Sequence, residues 1–193
     1  MKQKSRTEYS VMNTTVAFAA QATAILMGFF TRVVFTRMLS EGYVGINGLF
    51  TDILNILSLS ELGVGTAITY ALYGPIARND IKKQQILMRM FRTFYRITAG
   101  VVLIAGLCLI PFLDILMKDR PDVDHLIIIY LLYLLNSFVS YLLIYKKILV
   151  DAHQMNYITV MYHNGFLVLQ DICQIIVLLL TRNFILFLIV AVV

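Results

Sequence analysis

An all-α, polytopic membrane protein is the fold class this sequence predicts, and three observations predict it. The composition is 60% hydrophobic and 14% charged, with a mean hydropathy of +0.81; a soluble domain has about 45 to 50% apolar and about 25% charged residues. The apolar residues gather in runs near the ~20 residues that cross ~30 Å of hydrocarbon. The basic residues lie in the short segments between those runs, as topology signals do. The net charge of +5 therefore marks no nucleic-acid partner, because no soluble face collects the Lys and Arg side chains.

The first span is predicted from about Val11 to Phe35. A basic start, MKQKSRTEYS, precedes it, and Ala20-Gln21-Ala22 has the small-x-small form of a cleavage site. The run is too long for a signal-peptide core, so it is expected to stay as a signal-anchor helix. The second span is expected from about Val44 to Leu72, the third from about Ile97 to Met117, the fourth from about Leu126 to Val150 and the fifth from about Tyr157 to Leu180. A sixth begins near Phe184 and reaches Val193 after about ten residues, too few to cross at 1.5 Å rise per residue. Five complete transmembrane helices plus a truncated sixth, within a longer protein, are the expectation.

Lys2, Lys4 and Arg6, then Arg78, Lys82, Lys83, Arg89, Arg92 and Arg96, then Lys146 and Lys147 fall on one side of these spans. That side is expected to be cytoplasmic, with the N-terminus inside. The opposite loop KDRPDVDHL carries Asp119, Asp122 and Asp124. Residues 79–96 place Ile86, Met90 and Phe94 at i, i+4 and i+8 among the basic residues. They read as an amphipathic helix at the cytoplasmic surface, continuous with the third span and meeting anionic lipid headgroups.

Polar residues inside the spans are the candidate functional groups, because a charge in hydrocarbon costs about 2.5 to 3.5 kcal/mol on insertion scales and usually faces protein or water. In the first span Thr14, Gln21, Gly28 and Arg32 fall within about 40° of one another. Arg32 stands at the outer end, where a cavity-facing and a snorkelling side chain are both allowed. In the second span Asp52 and Asn55 share a face; Glu61, nine residues from Asp52, points to the opposite side of a straight helix, and Gly63 and Gly65 offer a break. Those acids are read as coupling or packing groups.

The fourth span aligns Tyr130, Tyr133, Ser137 and Tyr141, suited to interhelical packing or to a glycan-facing wall. The fifth carries the longest stripe, Asn156, Thr159, His163, Gln170 and Gln174, with Asp171 one position aside; such a face packs on another helix or lines water. The third span is apolar all round and is expected to face lipid. Cys108 and Cys173 show no CxxC or metal-ligand spacing and read as buried small hydrophobes. No metal or cofactor and no catalytic group is expected.

The stretch from Phe35 to Asp80 carries Arg37 and Leu39, then GYVGINGLF, then SLSELGVGTAITYALYGPIA. It resembles the start of the bacterial polysaccharide transporters, the lipid-linked oligosaccharide (O-antigen) flippases of the MOP superfamily. The resemblance implies one N-terminal lobe of a two-lobed transporter whose second lobe lies elsewhere in the same protein. It implies alternating access, a lipid-linked oligosaccharide on undecaprenyl diphosphate as substrate, and a place in the bacterial cytoplasmic membrane beside other polysaccharide-assembly proteins. Arg32 and Arg37 are the implied diphosphate ligands, with Gln21, His163, Gln170 and Gln174 as further substrate contacts. A cation-coupled multidrug antiporter of the same fold, with Glu61 or Asp171 as coupling site, is the alternative. A membrane glycan polymerase or ligase, and a non-transporting remnant, are two more.

Overall fold

The structure, a computed structural model, describes residues 6–58, 64–117, 123–153 and 155–192. Its helices are α1 (Arg6–Met38), α2 (Glu41–Ser58), α3 (Val64–Ala77), α4 (Ile81–Leu109), α5 (Leu113–Leu116), α6 (Leu126–Ala152), α7 (Asn156–Thr181) and α8 (Phe184–Val192), with no strand among the described residues. Four stretches are long and apolar enough to cross a membrane: Ser10–Met38, Ile81–Leu116, Leu126–Ala152 and Asn156–Thr181. This is a membrane-type helical bundle.

The expected second span is covered by two described helices, with residues 59–63 between them outside the described residues. α2 ends at Ser58 and α3 begins at Val64; at 1.5 Å per residue they are about 27 and 21 Å long, each short of the ~30 Å hydrocarbon. Glu61 and Gly63 fall between them and lie outside the described residues. The basic segment and the third apolar run form one helix, α4, which starts where Asp80 Oδ1 accepts a hydrogen bond from the Lys83 amide at 3.0 Å. That bond satisfies one of the unpaired N–H groups of the first turn. α4 gives way to a 3₁₀ turn, Ile110–Phe112, at Pro111, whose ring nitrogen donates no hydrogen bond. Arg182, left-handed at φ 49°, ends α7; Asn183 Oδ1 then accepts from the Ile185 and Leu186 amides to start α8.

Two cores divide the bundle along its length. They are termed outer and inner for the orientation the basic loops predict. The outer core joins Phe35, Phe50, Tyr130, Leu134, Leu178, Phe184 and Phe187. Rings meet across helices throughout it: Phe35 on Phe184 and Phe187, Tyr43 on Phe184, and Phe50 on both Tyr130 and Tyr133, at centroid separations of 5.1–5.8 Å. The inner core joins Ile68 and Leu72 of α3 to Phe91, Tyr95, Ala99 and Val102 of α4 and to Tyr141, Ile148 and Ala152 of α6.

α4 corrects the lipid-facing expectation for the third span. One face, Phe91, Tyr95, Ala99, Val102 and Gly106, is buried on α6 and α3, and only the opposite face, Ile97, Val101, Ile104 and Leu107, is exposed. A run with no polar stripe hides this division, because both faces are apolar. Cys108 is likewise exposed rather than buried, and Cys173 is partly buried.

Candidate functional site

Arg32 lies on an aromatic platform. Its Cζ stands 5.8 Å from the centre of the Phe35 ring, which is buried, while the guanidinium head remains exposed. The guanidinium also acts electrostatically on Tyr133 of α6. Tyr133 Oη donates a hydrogen bond to Asn47 Oδ1 of α2, and its ring edge meets Phe50. The guanidinium over Phe35 therefore lies within electrostatic reach of a phenol of α6 that is itself hydrogen-bonded to an amide of α2 and packed on Phe50. Such a set offers several donors at a site open on one side, which suits an oxyanion.

Arg37 does not join this cluster. Five residues from Arg32, it stands about 140° around α1, exposed in the last turn, where its charge complements the C-terminal helix dipole. Asp52 and Asn55 are exposed on the face of α2 opposite its buried Ile46, Phe50 and Ile53. Neither is clasped between helices of this bundle.

The α7 stripe splits into two parts with different fates. Gln174 is buried, and its Nε2 donates to the Phe187 carbonyl of α8 at 3.2 Å, so it ties two helices together. Gln170 and Asp171 are half-buried between these levels. Thr159 and His163 instead border a pocket of about 270 Å³ between α1 and α7, together with Asn164, Gln21 and Lys147 of α6. Ala17, Ala20 and Ala24 of α1 also line it, and their short side chains leave the space open.

Behind the pocket, the carboxylate of Asp151 takes a hydrogen bond from Thr159 and lies within electrostatic reach of Lys147. Its Oδ1 is buried and has no hydrogen-bond partner among the described residues. At the same end, Asn13 Oδ1 of α1 accepts from the Tyr157 amide at 2.8 Å, an inter-helix cap on the first turn of α7. No three metal-ligating side chains converge among the described residues.

Compared with protein-family models, curated proteins and solved structures, the chain matches none of them.

Sequence reasoning missed Asn47, Lys147, Asp151 and Asn164. Asn47 was visible as an amide in an apolar run, GYVGINGLF, but its partner Tyr133 is 86 residues away. Lys147 reads as a topology signal by position alone.

Proposed function

We propose that the chain is one lobe of a membrane transporter that moves a lipid-diphosphate-linked oligosaccharide. In this reading α2 and α3 make a single crossing, α8 begins a sixth, and the N-terminus is cytoplasmic. The supporting observation is the placement of Arg32: an exposed side chain with its guanidinium over Phe35, within electrostatic reach of Tyr133, which is hydrogen-bonded to Asn47. A planar guanidinium pairs bidentately with phosphate oxygens. The resemblance of residues 35–80 to the oligosaccharide flippases supports the same substrate class. Arg37, turned away from the cluster, serves better as an interfacial anchor.

The test is binding of farnesyl diphosphate, a short soluble prenyl diphosphate, to the purified chain in detergent micelles by calorimetry. Arg32→Ala is expected to weaken binding about tenfold or more, as loss of a hydrogen bond to a charged group costs about 1.5–3 kcal/mol. Arg37→Ala is expected to change it less than about twofold, as for an exposed charge with no ligand contact. Equal affinity in wild type and Arg32→Ala overturns the reading of Arg32 as the diphosphate ligand.

A further inference from the structure

We infer that the face of α4 turned away from the bundle holds one anionic phospholipid, its phosphate between Lys82 and Arg89 and an acyl chain along Ile86, Met90, Phe94 and Ile97. Such a site is independent of what the bundle transports and needs only that it sits in a membrane. From sequence, residues 79–96 read as a surface helix in contact with headgroups. The structure makes them part of the bundle wall instead: Phe91 and Tyr95 are buried in the inner core, with residues of α3 and α6. A helix fixed on that side is not free to lie flat in the interface, so its second apolar face meets its partner where it stands.

On that second face lies an open trough of about 780 Å³. Ile86, Met90, Phe94 and Ile97 line it, within about 80° of one another on an ideal helix, and all four are exposed. The strip runs on into Val101 and Ile104, exposed in the same arc of a stretch long enough to cross a membrane. That continuity with a lipid-facing surface favours an acyl chain over a soluble peptide. Charge selects the headgroup: α4 carries five cations and no acid, and Asp80 at its start already accepts from the Lys83 amide. The five are not alike. Lys82 and Arg89 border the trough seven residues apart, about 10.5 Å of rise and 20° of rotation, and both are exposed, with no carboxylate partner among the described residues. Long side chains close that gap by laying their stems on the apolar strip and their heads on one phosphate. Arg92 lies instead over the Tyr145 ring of α6, 6.0 Å from its centre.

The purified full chain in neutral detergent micelles is titrated with dioleoyl phosphatidylglycerol, and bound lipid is counted by native mass spectrometry. Dioleoyl phosphatidylcholine, with no net charge, and glycerol 3-phosphate, with no chain, are the comparisons. One phosphatidylglycerol is expected to bind about tenfold or more tighter than phosphatidylcholine, and glycerol 3-phosphate is expected to leave no adduct. Arg89→Ala is expected to weaken the phosphatidylglycerol adduct about tenfold, as loss of a hydrogen bond to a charged group does. Met90→Ser interrupts the apolar strip without changing charge and is expected to weaken it about fivefold. Arg92→Ala is expected to weaken it less than about twofold, since Arg92 is engaged on Tyr145. Helix content by circular dichroism is retained in each; Arg89→Gln, which keeps a polar stem and removes the charge, gives the same reading where Arg89→Ala does not fold.

Diffuse attraction to headgroups gives a different pattern, about fivefold for each cation removed, whichever it is. Equal losses in Arg89→Ala and Arg92→Ala therefore overturn the site, and so does equal binding of the two phospholipids. Binding of glycerol 3-phosphate that depends on Arg89 gives the trough to a free phosphate, and a two-chain species that excludes the lipid gives it to a second copy; either overturns the assignment. Farnesyl diphosphate keeps this site apart from the one at Arg32: its affinity is expected to stay within about twofold in Arg89→Ala, and a loss there rather than in Arg32→Ala would make the trough a prenyl diphosphate site instead.

Discussion

The α4–α6 pair and the α1–α7 pair are built on different principles. In the apolar windows of α4 and α6, 22% of residues are buried; in α7 the share is 11% and in α1 only 6%. Among the described residues the only fully buried core members that α1 and α7 supply are Phe35 and Leu178, with Val34 and Met38 of α1 partly buried beside them. α1 packs chiefly on α7, with a pocket rather than a core between their inner halves. The six substrate candidates, Gln21, Arg32, Arg37, His163, Gln170 and Gln174, all sit on this second pair, whereas Asp52 and Asn55 belong to α2. The difference teaches where the molecule separates support from function: the α4–α6 seam has no charged side chain in its core, and the α1–α7 pair, close as its helices lie, leaves its polar groups reachable.

Closure of α4 on α6 is sharpest at Gly106. A Cβ there meets the end of Leu134, with Cδ2 at 3.0 Å and Cδ1 nearer still, and Leu134 is itself buried. Gly106→Leu forces the helices apart and is expected to cost about 3 kcal/mol, the upper part of the overpacking range. Unfolding of the purified chain in mixed micelles by SDS titration measures it. A loss under about 1 kcal/mol would mean that Leu134 yields to the added side chain and that the α4–α6 seam is not tightly closed.

The next effect concerns the hydrogen bond beside that glycine. Tyr130 Oη donates to the Gly106 carbonyl at 2.8 Å, in a buried site. Tyr130→Phe keeps the ring contact with Phe50 and removes only the hydroxyl, and it is expected to cost about 1 kcal/mol in the same titration. For Gln174→Leu, which cuts the α7–α8 bond, about 0.6 kcal/mol is expected, since interhelical hydrogen bonds in membranes average near that value. Gln174→Leu is also expected to leave farnesyl diphosphate affinity unchanged; a clear loss would return Gln174 to the substrate contacts.

How much of this was legible in the sequence depended on whether the signal was local. The membrane bundle follows from runs of apolar residues, and the helix start at Asp80 from a short side chain three residues before its donor. Arg32 was legible as polar, but the choice between cavity and headgroups needed Phe35, Tyr133 and Asn47 around it, two of which come from other helices. Gln174 looked the same as His163 on a helical wheel. Only α8 packing over one end of α7, and not the other, gives them different partners.

The smallest effect bears directly on the open face of α1. Gly28 has nothing within 4 Å of where a Cβ would stand, in contrast to Gly106. Gly28→Ala in the purified chain is therefore expected to stabilise it by about 0.5 kcal/mol, since glycine inside a helix gives up more backbone freedom than alanine. Gly28 shares its face with Gln21 and Arg32, so the sign of the change is informative. A gain means the face is open, as a substrate path requires. A loss of stability, or a shift toward a smaller particle on size exclusion, means that a helix of a second copy already packs there through the glycine, and that Arg32 and Gln21 act at an interface before they act on any substrate.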